Sequence, residues 1–269
     1  MTIRVAVSGS GSMGREVLAA VAGADDMEPV GVIDKLSPEG EFALPGGGAV
    51  PMSADPAALL DRTKPDVVVD FTNAAWTPVL AEAAIPRGVR LVIGTSGLPD
   101  VWGDELETRC RERGVGAVLA PNFAIGAVLM IEFAKLASRF FDSAEIIELH
   151  HDRKVDAPSG TAIATAQEMA KARGRPFERN VPEKETIAST RAADIGGVTI
   201  HSVRLPGLVA HQEVIFGGLG QTLSIRHDTT GRESFMPGVL LATREVMKRV
   251  ELVRGLAALF GLGDRPTAD

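Results

Sequence analysis

The segment Gly9-Ser10-Gly11-Ser12-Met13-Gly14 limits what this chain can fold into more than any other feature. Its G-x-G-x-x-G spacing directly follows the apolar run Ile3-Arg4-Val5-Ala6-Val7, which reads as a strand, and precedes a helical pattern over 15–22. The spacing alone is common, and the flanking strand and helix are what make it informative. Gly9 permits the tight turn, Gly11 lets the backbone approach a pyrophosphate, and Gly14 allows close helix–strand packing. The helix start then presents free N–H groups to an anion. Asp34 stands twenty residues after Gly14, at the end of a second apolar run, where a carboxylate bonds an adenosine ribose. Lys35 beside it bears on cofactor choice. A carboxylate favours NADH and a neighbouring cation can accept the 2′-phosphate of NADPH, so both cofactors stay open.

The alternation of strand and helix continues beyond the loop. Apolar runs at 29–33, 67–71, 90–93 and 115–119 read as buried strands, with helical stretches at 76–84 and 101–113 between them. Such strands require a parallel sheet covered on both faces. After about residue 125 the pattern changes to a helix at 127–140, a strand at 144–149 and a helix at 161–173. A Pro- and charge-rich stretch at 174–185 follows, then strand-like runs at 198–205, 209–216 and 221–226. Strands in succession without helices imply a mixed or antiparallel sheet. A helical pattern over 233–250 returns toward the first domain. The expected fold is α/β: an N-terminal Rossmann-like doubly wound parallel sheet (1–125, with 240–269 packing back on it) and a second α+β domain with a mixed sheet (126–239). Residues 263–269 are expected to fray.

Composition narrows the partners. With 269 residues, 45% hydrophobic and 23% charged, the chain can bury a sizeable core, which excludes disordered and fibrous classes. No apolar run approaches the ~18 residues of a membrane span. Arg4 interrupts the first apolar run, so 1–7 reads as a strand and not as a signal peptide. The single cysteine, Cys110, excludes an intramolecular disulfide and metal sites built on paired cysteines, and a reducing cytoplasm is the simplest compartment. A net charge of −7 argues against a nucleic-acid surface, and the absence of tyrosine with 4% aromatics argues against base stacking. The expected partner is a small molecule, with neither nucleic acid nor membrane.

Three segments lie where cofactor contacts belong, at the carboxyl ends of strands: Phe71-Thr72-Asn73, Gly94-Thr95-Ser96 and Ala120-Pro121-Asn122-Phe123. Ordinary loops are the equal alternative for each. The densest chemical segment is Glu148-Leu149-His150-His151-Asp152-Arg153-Lys154-Val155-Asp156-Ala157-Pro158-Ser159-Gly160-Thr161-Ala162. Two histidines and a lysine offer proton donors and cationic charge. Ser159 is a candidate N-cap, which leaves the N–H groups of Gly160 and Thr161 available to a carboxylate. No acidic or cysteine spacing accompanies the histidines, so no metal is expected. His201, His211 and His227 lie in strand patterns and read as structural, and Glu82, Glu107 and Glu145 as surface charges.

The segment 148–162 resembles the E-L-H-H-x-x-K-x-D-A-P-S-G-T-A signature of the dihydrodipicolinate reductase family. The similarity extends to Val69-Asp70-Phe71-Thr72, Gly94-Thr95-Ser96-Gly97, 120–126 and Gly207-Leu208-Val209-Ala210-His211-Gln212-Glu213-Val214. The resemblance implies NADH- or NADPH-dependent reduction of 4-hydroxy-tetrahydrodipicolinate, with loss of water, in diaminopimelate and lysine biosynthesis. It implies that Gly9, Ser10, Gly11, Ser12 and Met13 hold the pyrophosphate, that Asp34 and Lys35 hold the ribose, and that Gly94, Thr95, Ser96, Ala120, Pro121, Asn122 and Phe123 flank the nicotinamide. His150 would be the catalytic histidine and Lys154 the proton donor. His151, Gly160 and Thr161 would bind the substrate carboxylates, and the second domain would build a homotetramer. The glycine loop is one residue shorter than in many members, Asn73 stands where some carry a cation, and 177–191 has no counterpart. Two other readings use the same scaffold: a different NAD(P)-dependent amino- or oxo-acid dehydrogenase, and a non-enzymatic NAD(P)H sensor.

Overall fold

In the computed structural model, which describes residues 2–37, 39–188 and 190–262, the glycine loop joins β1 (Ile3–Ser8) to α1 (Ser12–Ala22). Then come β2 (Met27–Ile33), β3 (Gly40–Ala43), β4 (Ala49–Ser53), α2 (Pro56–Thr63), β5 (Val67–Asp70), α3 (Thr77–Ala84), β6 (Arg90–Ile93), α4 (Asp100–Arg113) and β7 (Ala117–Leu119). These strands, with β13 near the end of the chain (Leu252–Arg254), form one sheet of order β13-β7-β6-β5-β1-β2-β4-β3. Its pairings are parallel except the β3/β4 hairpin. Every residue of β5 is buried, as a strand covered on both faces requires. The chain turns from one half of the sheet to the other between β1 and β5, the switch point at which α/β sheets open a crevice. Elements β3, β4 and α2 lie in a stretch whose sequence carries no expected element. The start of α2 is nonetheless well marked, with Asp55 accepting from the Ala57 and Ala58 amides and Pro56 in the first turn.

The helix after the glycine loop begins at Ser12 and not at residue 15. The Gly11 carbonyl already accepts from the Arg15 amide, so Ser12, Met13 and Gly14 belong to the first turn. Gly14 is there for space: a Cβ on it would lie 1.8 Å from the Gly9 carbonyl oxygen.

Residues Gly126–Gly231 form a second compact unit, and those from Arg232 onward belong with the first. The return begins ahead of the expected residue 240 because the 3-10 turn Arg232–Phe235 and α7 (Met236–Val246) already pack on α1 and the first sheet. In the second unit α5 (Ile125–Ala137) and α6 (Gly160–Arg173) cover a mixed sheet of order β12-β11-β8-β10-β9. Its strands are β8 (Ser143–His150), β9 (Ala193–Ile195), β10 (Val198–Arg204), β11 (Ala210–Gly218) and β12 (Gln221–Thr229). The β8/β10 pair is parallel and the others antiparallel. Met130, Ala134, Ile146, Ala166, Met169 and Phe216 are among the side chains of its core. The expected fraying of 263–269 lies outside the described residues.

Candidate functional site

The crevice of the first unit, about 410 Å³, is lined by Gly9, Gly11, Asp34, Lys35, Leu36, Phe71, Thr72, Asn73 and Trp76. Gly9 takes a φ of +99°, which an L side chain rarely adopts, and a Cβ on it would meet Thr72 at 3.1 Å. Gly11 has open space where a Cβ would be. A backbone that is bare at Gly11 and compressed at Gly14, ending in a helix N-terminus, fits a pyrophosphate. Asp34 follows β2 and is tied to the glycine loop. One oxygen accepts from the Ser10 amide at 2.8 Å and from the Ser10 hydroxyl, and the other from the Leu36 amide at 2.9 Å. Burial would raise the Asp34 carboxyl, but the Ser10 hydroxyl and the Leu36 and Ser10 amides outweigh it and hold it below the usual range.

The remaining first-unit residues offer unequal contact surfaces. Lys35 and Ser96 are exposed at the loop tips, and Thr95 is buried. Ala120 and Phe123 are buried, with the Phe123 ring edge-on to Phe71 at 5.3 Å. What these two offer a cofactor is backbone. Pro121 is exposed, while Asn122 turns its side-chain oxygen back onto the Ala124 amide at 2.9 Å.

The second-unit cluster is organised around Glu148, a fully buried carboxylate near the end of β8. Residues i and i+2 of a strand share a face, so Glu148 and His150 point the same way, and Glu148 accepts from His150 Nδ1 at 2.6 Å. Arg204, at the end of β10, donates both ends of its guanidinium to the same carboxylate at 2.9 and 2.8 Å, a bidentate pair. The Ser159 amide donates to it at 3.2 Å. Arg204 also donates to the Asp156 carbonyl at 2.7 Å. One buried ion pair thus holds both ends of the loop 150–159 and its middle. Burial would raise the Glu148 carboxyl, but Arg204, Ser202 and His150 outweigh it and keep it low. Burial pushes the His150 imidazole below its ordinary value against the raising effect of Glu148, and the contact with the Glu148 carboxylate is one in which Nδ1–H donates.

Lys154 lies within the loop, its Nζ on both Asp156 oxygens at 2.7 and 2.9 Å. Ser159 caps α6 by accepting from the Ala162 amide. The Gly160 and Thr161 amides have no partner among the described residues, and a Cβ on Gly160 would meet nothing. His151 Nδ1 is buried without a partner among the described residues. The structure therefore brings His150, His151, Lys154, Gly160 and Thr161 into one loop and helix start. Among the described residues, no three His, Cys, Asp or Glu side chains cluster as a metal site would need. Sequence reasoning assigned no role to Glu148 or Arg204. The i, i+2 relation to His150 was a readable signal for Glu148, whereas Arg204 is 56 residues away and only strand pairing brings it in.

Comparisons with known proteins cover the whole of this arrangement. The family model "Dihydrodipicolinate reductase, N-terminus" matches residues 3–123 and "Dihydrodipicolinate reductase, C-terminus" matches 126–260. A 4-hydroxy-tetrahydrodipicolinate reductase of Dehalococcoides mccartyi is 48% identical over 262 residues, 97% of this chain and 99% of that protein. One from Moorella thermoacetica is 48% identical over 264 residues, covering 96% and 98%. The solved dipicolinate-bound dihydrodipicolinate reductase from Paenisporosarcina sp. TG-14 is similar with a TM-score of 0.88 and 43% identity, over 96% of this chain and 99% of that one. An amine dehydrogenase from Mycobacterium smegmatis, at 16% identity and a TM-score of 0.64, covering 92% of this chain and 93% of that one, shares the fold.

Proposed function

This chain belongs to the dihydrodipicolinate reductase family, and from that membership we infer that it reduces 4-hydroxy-tetrahydrodipicolinate to tetrahydrodipicolinate in the diaminopimelate and lysine pathway. The reaction consumes NAD(P)H and a proton and releases NAD(P)⁺ and water. A nicotinamide cofactor, when bound, supplies the hydride that adds at ring C4 of the dehydrated substrate. The observation that carries the residue assignments is the buried Glu148–Arg204 pair, which sets His150 and Lys154 beside an anion-ready helix start.

The dianionic substrate needs two seats for carboxylates. The free Gly160 and Thr161 amides at the start of α6 hold one, with the helix dipole in support. His151, whose Nδ1 has no partner among the described residues, holds the other. His150 keeps its Nδ1 proton on Glu148, which fixes the tautomer and leaves Nε2 as the nitrogen that faces the reacting ring. Hydride addition leaves an enamine, and Lys154 Nζ, released from Asp156, delivers the proton that completes the product. In the first unit the loop of Gly9, Ser10, Gly11, Ser12 and Met13 holds the pyrophosphate through the amides not already bonded to Ile33 and Asp34, and Asp34 with Lys35 holds the adenosine ribose. Gly94, Thr95, Ser96 and the backbone of Ala120, Pro121, Asn122 and Phe123 flank the nicotinamide.

The Asp34 carboxylate favours NADH and the adjacent Lys35 admits the 2′-phosphate of NADPH, so the enzyme uses both. No helix among the described residues is long and apolar enough to cross a membrane, and the biosynthetic role of the relatives supports a place in the cytoplasm. The second unit displays exposed Phe133, Leu136, Phe140 and Leu223 around one apolar groove beside the edge strand β12, which supports a homotetramer built through this unit. Nicotinamide oxidation, with substrate generated from pyruvate and aspartate semialdehyde by a synthase, tests the reading with both cofactors side by side. Turnover with each is expected. A chain that binds NADH and turns over nothing overturns the substrate assignment, and a monomer by light scattering overturns the assembly.

A further inference from the structure

Asp70, the last residue of β5, takes no part in the chemistry above, yet it is completely buried. A fourth valine after Val67-Val68-Val69 would continue the strand without burying a carboxylate, which is costly when no counter-ion accompanies it. The partners of Asp70 are three threonine hydroxyls. Thr72 Oγ1 donates to one oxygen at 2.6 Å, and Thr77 Oγ1 and Thr95 Oγ1 donate to the other at 2.5 and 3.0 Å. The Thr72 amide donates in turn to Thr95 Oγ1 at 3.1 Å. The three threonines come from the loop after β5, the first turn of α3 and the loop after β6.

The first of these segments walls the crevice. Phe71, Thr72 and Asn73 line it directly, and Thr72 closes on Gly9. A Cβ on Gly94 would lie 2.1 Å from the Phe71 ring, so the loop after β6 is pressed onto the loop after β5. A displacement of either loop moves the other and the face that the glycine loop rests against.

We propose that Asp70 is a positioning residue for the dinucleotide: by clasping Thr72, Thr77 and Thr95 it holds the two strand-end loops in the spacing the cofactor needs. The proposal rests on the crevice being the nicotinamide cofactor site.

The test is titration of the intact protein with NADH, and separately with dipicolinate, in Asp70→Asn, Thr95→Val and the double variant. An asparagine puts a donor where one or more hydroxyls need an acceptor. D70N is expected to weaken NADH about tenfold, the worth of a hydrogen bond to a charged group, and to leave dipicolinate affinity unchanged. T95V is expected to weaken NADH about threefold, and the double variant to lose less than the two losses combined, because the hydroxyl acts in part through the carboxylate and in part through the Thr72 amide. NADH affinity that is unchanged in D70N, or losses that simply add in the double variant, overturns the proposal. If D70N does not fold, T95V and Thr72→Val decide it: wild-type NADH affinity in both overturns it. If the unaltered protein does not bind NADH, the cofactor reading fails and the proposal with it.

Discussion

Glu148→Gln preserves shape and removes charge at the point where the second-unit site is held together. Glu148 accepts two hydrogen bonds from Arg204 and one each from His150 and Ser159, with the Ser202 hydroxyl also beside it. A carboxamide accepts at only one end, so in either orientation one Arg204 N–H and one of the other two donors face an N–H₂ group. Stranding one member of a buried ion pair costs about 3–5 kcal/mol. Arg204 keeps 19% of its side chain in solvent, which puts the expected loss at the lower end, about 3 kcal/mol. At about 2–4 °C per kcal/mol for a chain of this size, the Tm falls by roughly 6–12 °C. Since the same pair holds His150 and the middle of the Lys154 loop, kcat falls about a hundredfold while NADH affinity is retained. The pH dependence follows from the carboxyl, whose folded pKa lies below the ordinary 4.5. In the native chain its contribution to stability is complete above 4.5 and is lost as pH falls through the folded value, whereas the glutamine variant lacks that slope. Thermal denaturation across pH, with steady-state kinetics and NADH titration, measures all of this. A variant with native Tm and kcat refutes the assignment of Glu148 as the organiser of the site.

Further outcomes separate the other roles. Gly14→Ala forces backbone at Gly9 aside by more than about 1 Å and should cost about 1–3 kcal/mol in stability together with NADH affinity, whereas Gly11→Ala, with open space around it, should lose NADH affinity at unchanged Tm. Equal Tm losses in the two would contradict the space argument. Lys154→Ala should lower kcat by about 10²–10⁴, the span of general-acid catalysis, and leave NADH binding intact. Loss of NADH binding there would move Lys154 out of its role. Burial pushes His150 down, so the acid limb of kcat/KM that reports its protonation should lie below the ordinary 6.5 and fall further in Glu148→Gln, where the raising effect of the carboxylate is gone. A limb that rises in the variant would exclude His150 as its source.

Much of this protein is legible in its sequence because the deciding signals are local. The apolar runs that became β1, β2, β5, β6 and β7 were readable since a strand buried on both faces carries few polar residues, and those mostly near its ends. The glycine loop and the 148–162 segment were readable for a related reason. Backbone that must turn tightly or present bare amides admits few residue types, and the neighbours that need it are adjacent in the chain. The hairpin β3/β4 and the closing strand β13 escaped, being short, polar or interrupted by glycine and proline, and stable only against neighbours already in place. Tertiary structure alone decided the distant partners of the buried carboxylates Glu148 and Asp70. Arg204 reaches Glu148 because β10 runs beside β8, and Thr95 reaches Asp70 because β6 runs beside β5. Such contacts depend on strand order and register, which the packing of whole sheets selects, and no residue near either carboxylate in the chain encodes them.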